Sequence, residues 1–471
     1  MSPSTAPVRK FGRYQAPAPA PAQAIQPSKS EGAVSFWLGA IYTFLLVSRS
    51  VEFIDSRGQF HLVVISGAVC AVALISSGMI PKMLVSRQGK WVSLLCLWIF
   101  LGLPFSTWKG GSVDFFASIW IKSYVMFFIV GGLIFSLKQM RTMAIILALS
   151  SIYQIYLALH GSMADDDRLS MSYGTLGNAN DLATALLMGL PFIAYVIFDS
   201  KLNGFLRALS VPLAVVLLVS VLKTGSRGAL VAIAGLVVIA FVRSSGGSKI
   251  AIVVVAVLFV GLFATVVPTS LRERYMTIFA SSVATEHLTQ GAASAIDSSN
   301  ARRQLFINSI ILTMRNPIFG VGLAQFAPQS FDLLISQGMG GMWFTSHDIY
   351  ALVSAEIGLP GLVFFCLTLS SSLVPMWRLS RLPHSTDEMR IISGLAYSLL
   401  MSILAYMICG IFSTAAYTYQ LPVLAALSAA LERVSLPYVQ AAASSSAGMA
   451  KGPQPFLNRR LQQNRRIAAT L

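Results

Sequence analysis

Twelve stretches of this chain are nearly free of charge and long enough to cross a lipid bilayer as helices. They fall at roughly 33–49, 60–80, 91–106, 115–136, 142–159, 182–198, 205–222, 228–243, 250–267, 349–376, 391–412 and 415–434. A hydrocarbon core about 30 Å thick takes about 20 apolar residues in helical form, and that is the scale of these runs. Only 11% of the 471 residues are charged, against about 25% in an ordinary soluble domain. That leaves too little charge to cover a water-facing surface, which excludes a soluble enzyme. The formal charge of +16 therefore belongs to a polytopic, all-helical membrane protein and not to a nucleic-acid binder. Cys70, Cys96, Cys366 and Cys409 all lie within apolar runs without metal-ligand spacing, so neither a disulfide framework nor a zinc site is expected.

Orientation follows from the basic residues, because cytoplasmic loops carry the excess of Lys and Arg. With both termini inside, 22 of the 34 fall on the cytoplasmic side, 11 fall outside, and Lys122 lies within a span. The expected organisation is a disordered cytoplasmic arm (1–31), helices one to nine (32–267), a large outer loop with an amphipathic helix (268–348), helices ten to twelve (349–436) and a disordered basic tail (437–471). The arm is rich in Pro and Ala, and no apolar stretch precedes residue 33, so it reads as an arm and not as a signal peptide. Long loops in otherwise tightly connected chains tend to carry function. The outer loops at 160–181 and 268–348 are therefore where chemistry is expected.

Several residues there stand out. Arg227, in Thr224-Gly-Ser-Arg-Gly228, begins a nearly pure hydrocarbon helix where a cation opposes the helix dipole. It is either an interfacial arginine with its head in water or a phosphate clamp. Arg168 follows Asp165-Asp166-Asp167 and precedes Gly177-Asn-Ala-Asn180-Asp181. It either pairs with its acidic neighbours or faces a ligand. The aspartate run is either solvated or metal-binding, and Asn178, Asn180 and Asp181 are candidate helix caps. His347, beside Asp348 at the start of the tenth span, has a near-neutral side chain able to take a proton from a hydroxyl, with an interfacial or capping role as the plainer reading. Glu356, nine residues on, lies about 180° round the helix from it and needs a buried partner. Lys122 sits about 12 Å deep in the fourth span. Arg302 and Arg303 open an amphipathic helix whose apolar side is expected to be Leu305, Ile307, Ile310 and Ile311. Gly320-Val-Gly322 is a glycine turn with no strand before it, which argues against a nucleotide loop.

In order, Arg168 with Gly177–Asn180, Thr224–Gly228, Arg302/Arg303, Asn316-Pro-Ile-Phe-Gly-Val-Gly322, His347-Asp-Ile-Tyr and Glu356-Ile-Gly-Leu-Pro-Gly361 resemble the bacterial O-antigen ligase and O-antigen polymerase superfamily. Asp348 stands where Asn or Ser more often follows the histidine, and the aspartate run lies outside the pattern. The resemblance implies a fold related to polyprenyl-dependent glycosyltransferases. It also implies an inner-membrane enzyme whose site faces the periplasm, moving a glycan from an undecaprenyl-diphosphate carrier to a hydroxyl on lipid A core or another acceptor. It needs no metal or other cofactor. His347 would be the catalytic base, and Arg227, Arg168, Arg302 and Arg303 the diphosphate-binding groups. Lys122, Glu356, Asn180 and Asp348 are secondary candidates. A polymerase of the same superfamily is the nearest alternative. A polysaccharide transporter or flippase is disfavoured by the scarcity of charge within the spans. The enzyme reading requires that the arginines and His347 converge.

Overall fold

The computed structural model describes residues 29–54, 61–160, 168–171, 174–276, 290–338, 340 and 343–449. The terminal arm, the basic tail and the Asp165–Asp167 run lie outside the described residues. Among these residues every regular element is helical: α1 (Lys29–Val47), α2 (Ser50–Ile54), α3 (Leu62–Ser76), α4 (Ile80–Val85), α5 (Arg87–Gly102), α6 (Lys109–Phe115), α7 (Ile121–Gly132), α8 (Leu137–His160), α9 (Ala179–Phe198), α10 (Gly204–Lys223), α11 (Arg227–Arg243), α12 (Gly246–Val266), α13 (Thr269–Met276), α14 (Gln290–Arg315), α15 (Phe326–Ser336), α16 (Ile349–Leu379), α17 (Asp387–Gly410) and α18 (Gln420–Met449).

Each apolar segment of the sequence contains a helix among the described residues, although the last one is helical only from Gln420. Eight of the helical stretches are long and apolar enough to cross a membrane: Arg87–Phe105, Lys109–Gly132, Leu137–His160, Ala179–Phe198, Gly204–Lys223, Gly246–Val266, Ile349–Leu379 and Asp387–Gly410. The others fall short for visible reasons. α1 and α3 are shorter apolar helices, α11 has 17 residues, and α18 carries Glu432 and Arg433 in mid-helix. Residues 268–348 are largely ordered into α13, α14 and α15 where they are described.

Local sequence sets the helix starts. Ser86, Asn178, Asn203, Ser226, Asp348 and Thr386 each accept a hydrogen bond from an amide of the first turn. Each thereby satisfies a donor that the helix itself cannot. α9 packs between α8, α10 and α17, and α16 lies against α5, α14, α17 and α18. α12 is peripheral, with none of its residues buried.

α16 is broken at Gly358, whose φ of 75° and ψ of 178° only glycine adopts without strain. The glycine turn after α14 docks on the break. Val321 N donates to Ala355 O (2.8 Å), Gly322 N to Glu356 O (2.9 Å), and Leu359 N to Pro317 O (2.8 Å). Trp98 Nε1 takes Ile357 O at 2.9 Å. The main-chain groups released by the break thus regain partners, which is what a buried interruption requires. A β-carbon at Gly358 would lie 2.0 Å from Ile318 O.

Candidate functional site

The end of α10 organises the site. The last carbonyls of a helix lack the next turn's amides, and four donors take up two of them here together with the two carbonyls of the turn that follows, Thr224 and Gly225. Tyr275 Oη donates to Leu222 O (2.8 Å), Leu169 N to Lys223 O (2.9 Å), Arg168 Nε to Thr224 O (2.7 Å) and Arg274 Nε to Gly225 O (3.2 Å). Two guanidinium groups are therefore held against the negative end of a helix dipole, where cations are favoured. Gly225 makes the turn with φ of +62°. A β-carbon there would meet Leu271 Cδ2 at 3.1 Å, Arg168 Nε at 3.3 Å and Arg274 Cδ at 3.4 Å. One residue on, Ser226 caps α11 through Ala229 N (3.4 Å), so Arg227 is delivered as the first residue of that helix beside the other two.

Arg302, from α14, completes the group. Burial, followed by the charges of Arg227, Arg168 and Arg274, pushes its guanidinium down from 12.5 to about 10, while Asp181 acts the other way. His347 stands in the same field. Burial first, then Arg302 and Arg168, lower its imidazole to about 4, with Asp181 again opposing. The imidazole is neutral at pH 7 and free to accept a proton. Three buried atoms here have no hydrogen-bond partner: Arg302 Nε, His347 Nδ1 and Ser346 Oγ. Buried polar atoms are ordinarily paired, so orphans gathered at one place mark where a polar ligand fits.

The neighbouring acid, Asp181, has hydrogen-bond partners of its own. Asp181 is 4% exposed and is engaged by the loop after α17. Its Oδ1 accepts from Ser413 Oγ (2.6 Å) and Thr414 N (3.1 Å), and its Oδ2 from Thr414 Oγ1 (2.7 Å).

The remaining sequence candidates divide clearly. Asn180 accepts from Arg168 Nη2 at 3.3 Å and steadies it, while Asn178 is the α9 cap. Asp348 caps α16 through Tyr350 N (2.8 Å) and Ala351 N (3.0 Å), and burial raises its carboxyl above the ordinary range. The structure does not bring Arg303, Lys122 or Glu356 to the cluster. Arg303 is exposed, since adjacent helical residues point about 100° apart and Arg302 takes the inward direction. Lys122 is exposed too, two residues after the π-helical turn Phe116–Trp120, with Trp120 and Ser123 buried instead. Glu356 is 3% exposed, and its Oε1 accepts from Phe326 N (3.1 Å), the first amide of α15.

The apolar side expected of α14 is also corrected. Its buried face is Leu305, Asn308, Ser309, Leu312 and Thr313, whereas Ile307 and Ile310 are exposed with Phe306 and Met314. The inward polar residues have partners on other helices: Asn308 Nδ2 donates to Ser330 Oγ at 2.9 Å, and Thr313 Oγ1 lies 3.0 Å from Ser354 Oγ. Arg274 and Asp181 are the site residues that sequence reasoning did not select.

Residues 212–366 match the family described as O-antigen ligase. That match covers about a third of the chain and supports membership of the O-antigen ligase superfamily. The matched segment runs from within α10 to within α16 and contains Arg227, Arg274, Arg302 and His347. Arg168, Asn180 and Asp181 lie before it. The match supports an O-antigen ligase- or polymerase-type function in general terms, in a chain with several helices long and apolar enough to cross a membrane. A search of curated proteins finds no match. Among the described residues no group of His, Cys, Asp and Glu could hold a metal ion.

Proposed function

We propose that the chain is an O-antigen ligase-like glycosyltransferase that moves a glycan from an undecaprenyl-diphosphate carrier to an acceptor hydroxyl at the periplasmic face of the inner membrane. The observation that carries the reading is the gathering of Arg168, Arg227 and Arg274 about Arg302, with His347 beside Arg302 and Arg168. Clustered guanidinium groups with forked donors suit an anion with several phosphate oxygens. Twelve crossings with both termini cytoplasmic, as the distribution of basic residues favours, put this end of α9, α11 and α16 on the outer side.

In this reading the arginines bind the diphosphate and stabilise the charge that grows on it as the glycosidic bond breaks, a role that fixed cations can fill without a metal. His347 accepts the proton of the attacking hydroxyl. Burial first, and then the charges of Arg302 and Arg168, make its imidazole a weak base. A bound diphosphate offsets the cationic part of that shift and so strengthens the base, which tunes the proton acceptor by the donor's arrival. Asp181, fixed by Ser413 and Thr414, keeps a negative charge within range of the imidazole and stabilises its protonated form after transfer.

The test uses purified protein with a polyprenyl-diphosphate-linked glycan. Polyprenyl diphosphate is expected to be released only when an acceptor is added, and His347→Ala and Arg227→Ala to abolish release with expression intact. Transfer to a lipid acceptor identifies a ligase, and extension of the glycan itself identifies a polymerase. Full release by both variants would overturn the assignment.

A further inference from the structure

The far ends of the helices that carry the guanidinium cluster enclose a second basic site. α11 runs from Arg227 at the cluster to Arg243 over 17 residues, a span of about 24 Å. α9 and α16 end at the same level, and α17 starts there. Between them lies a cavity of about 410 Å³ whose lining includes Phe198, Asp199, Arg243, Ser380, His384 and Arg390, a volume within the range of small-ligand sites.

Among the described residues no carboxylate pairs with Arg243 or Arg381. Arg243 lies 4.5 Å over the Trp377 ring and 5.4 Å from that of Tyr397. Arg381 lies 4.3 Å over the same Trp377 ring, so two guanidinium groups share one indole. Arg243 Nη2 donates to Ser380 Oγ at 2.9 Å, but its Nη1 is buried without a partner. The nearby carboxylates are already engaged. Asp199 is paired with Arg141 and accepts the Lys201 amide at 3.0 Å. Asp387 is paired with Lys201 and reaches Arg390 only at 3.8 Å. Hydroxyl and imidazole groups complete the polar wall: His384 Nε2 lies 3.3 Å from Ser393 Oγ, which donates to Ser380 O at 3.1 Å. Phe198, at the rim, is 81% exposed.

We infer that this cavity binds a phosphate group, with Arg243 and Arg390 as its principal cations. The exposed phenylalanine beside it fits a phosphate carried by an anionic membrane lipid. Basic pockets between helices at a membrane boundary suit such head groups.

The experiment measures thermal unfolding of the full-length protein in a neutral detergent, titrated with phosphatidylglycerol, with phosphatidylcholine or with inorganic phosphate. Native mass spectrometry counts the lipids retained. Wild type is expected to be stabilised by phosphatidylglycerol and not by phosphatidylcholine. Arg390→Gln should weaken the apparent affinity about tenfold and Arg243→Gln more. Arg390 is exposed and carries little of the fold, so its variant remains informative if Arg243→Gln fails to fold. The same losses in an Arg302→Gln background exclude the opposite cluster as their source. Stabilisation by inorganic phosphate that Arg390→Gln removes, without selective lipid retention, assigns the cavity to a soluble phosphate. Unchanged affinity for both phosphate sources in Arg390→Gln, or no binding of either, overturns the inference.

Discussion

Replacing Arg302 with glutamine is expected to stabilise the empty protein while destroying its ability to bind a diphosphate. The guanidinium is held at about 10 instead of 12.5 by burial and by three other arginines. A difference of that size corresponds to about 3 kcal/mol of unfavourable environment for the charged form. The sign is fixed: the folded state binds the proton less tightly than the unfolded chain. The penalty is therefore present in full below pH 10 and fades only between about 10 and 12.5. Glutamine removes the charge but loses some packing of the arginine stem, so a gain of about 1–3 kcal/mol is the expected net. Unfolding of wild type and variant in detergent at pH 7, with and without inorganic pyrophosphate, reads both effects. The variant should unfold at higher temperature without ligand, and pyrophosphate should raise the midpoint strongly in wild type alone, since a ligand stabilises only the state that binds it. A variant that is less stable when empty and still responds fully to pyrophosphate would refute the idea that the cluster is strained toward an anion.

Four further outcomes follow from the geometry. Arg274→Ala should lower transfer at least a hundredfold while Arg303→Ala, its exposed counterpart on α14, stays within about twofold of wild type, measured as initial rate of polyprenyl-diphosphate release. Activity should fall on the acid side as His347 takes up a proton. The pH profile of kcat/KM should break near 4, and that of kcat at a higher pH because bound diphosphate offsets the cations. Asp181→Asn should depress the imidazole further and cut kcat more than it changes KM. Gly358→Ala should destabilise the protein by several kcal/mol, since it combines a backbone conformation open only to glycine with a 2.0 Å approach to Ile318 O; reduced yield and a lowered unfolding midpoint would register it.

The helical architecture was legible because bilayer thickness writes itself into the length of apolar runs, and Asn178, one of three candidate caps, marked where α9 begins. Arg227, Arg168 and His347 stood out because each interrupts hydrocarbon or stands at a helix start. Arg274 gave no such signal. In Arg272-Glu-Arg274 it looks like any outer-loop cation, and only the fold shows that it reaches the end of α10 and is 4% exposed. Asp181 resembled a cap for its own helix, but its partners Ser413 and Thr414 lie more than two hundred positions later. Glu356 needed a partner, as its depth implied, and found it in an amide thirty residues earlier that local spacing does not reveal. The choice of Arg302 over Arg303, and the turning of Ile307 and Ile310 outward, depended on which face of α14 meets its neighbours. Two adjacent arginines cannot announce that themselves.

The four donors gathered on the carbonyls at the end of α10 and in the turn after it have an evolutionary consequence. Peptide oxygens are the same whatever side chains flank them, so the hydrocarbon of α10 can drift among Leu, Val and Ala without moving Arg168 or Arg274. Only the bend at Gly225 is irreplaceable in that mount. Diverging descendants of this chain could rewrite the greasy body of the helix and still inherit the same grip.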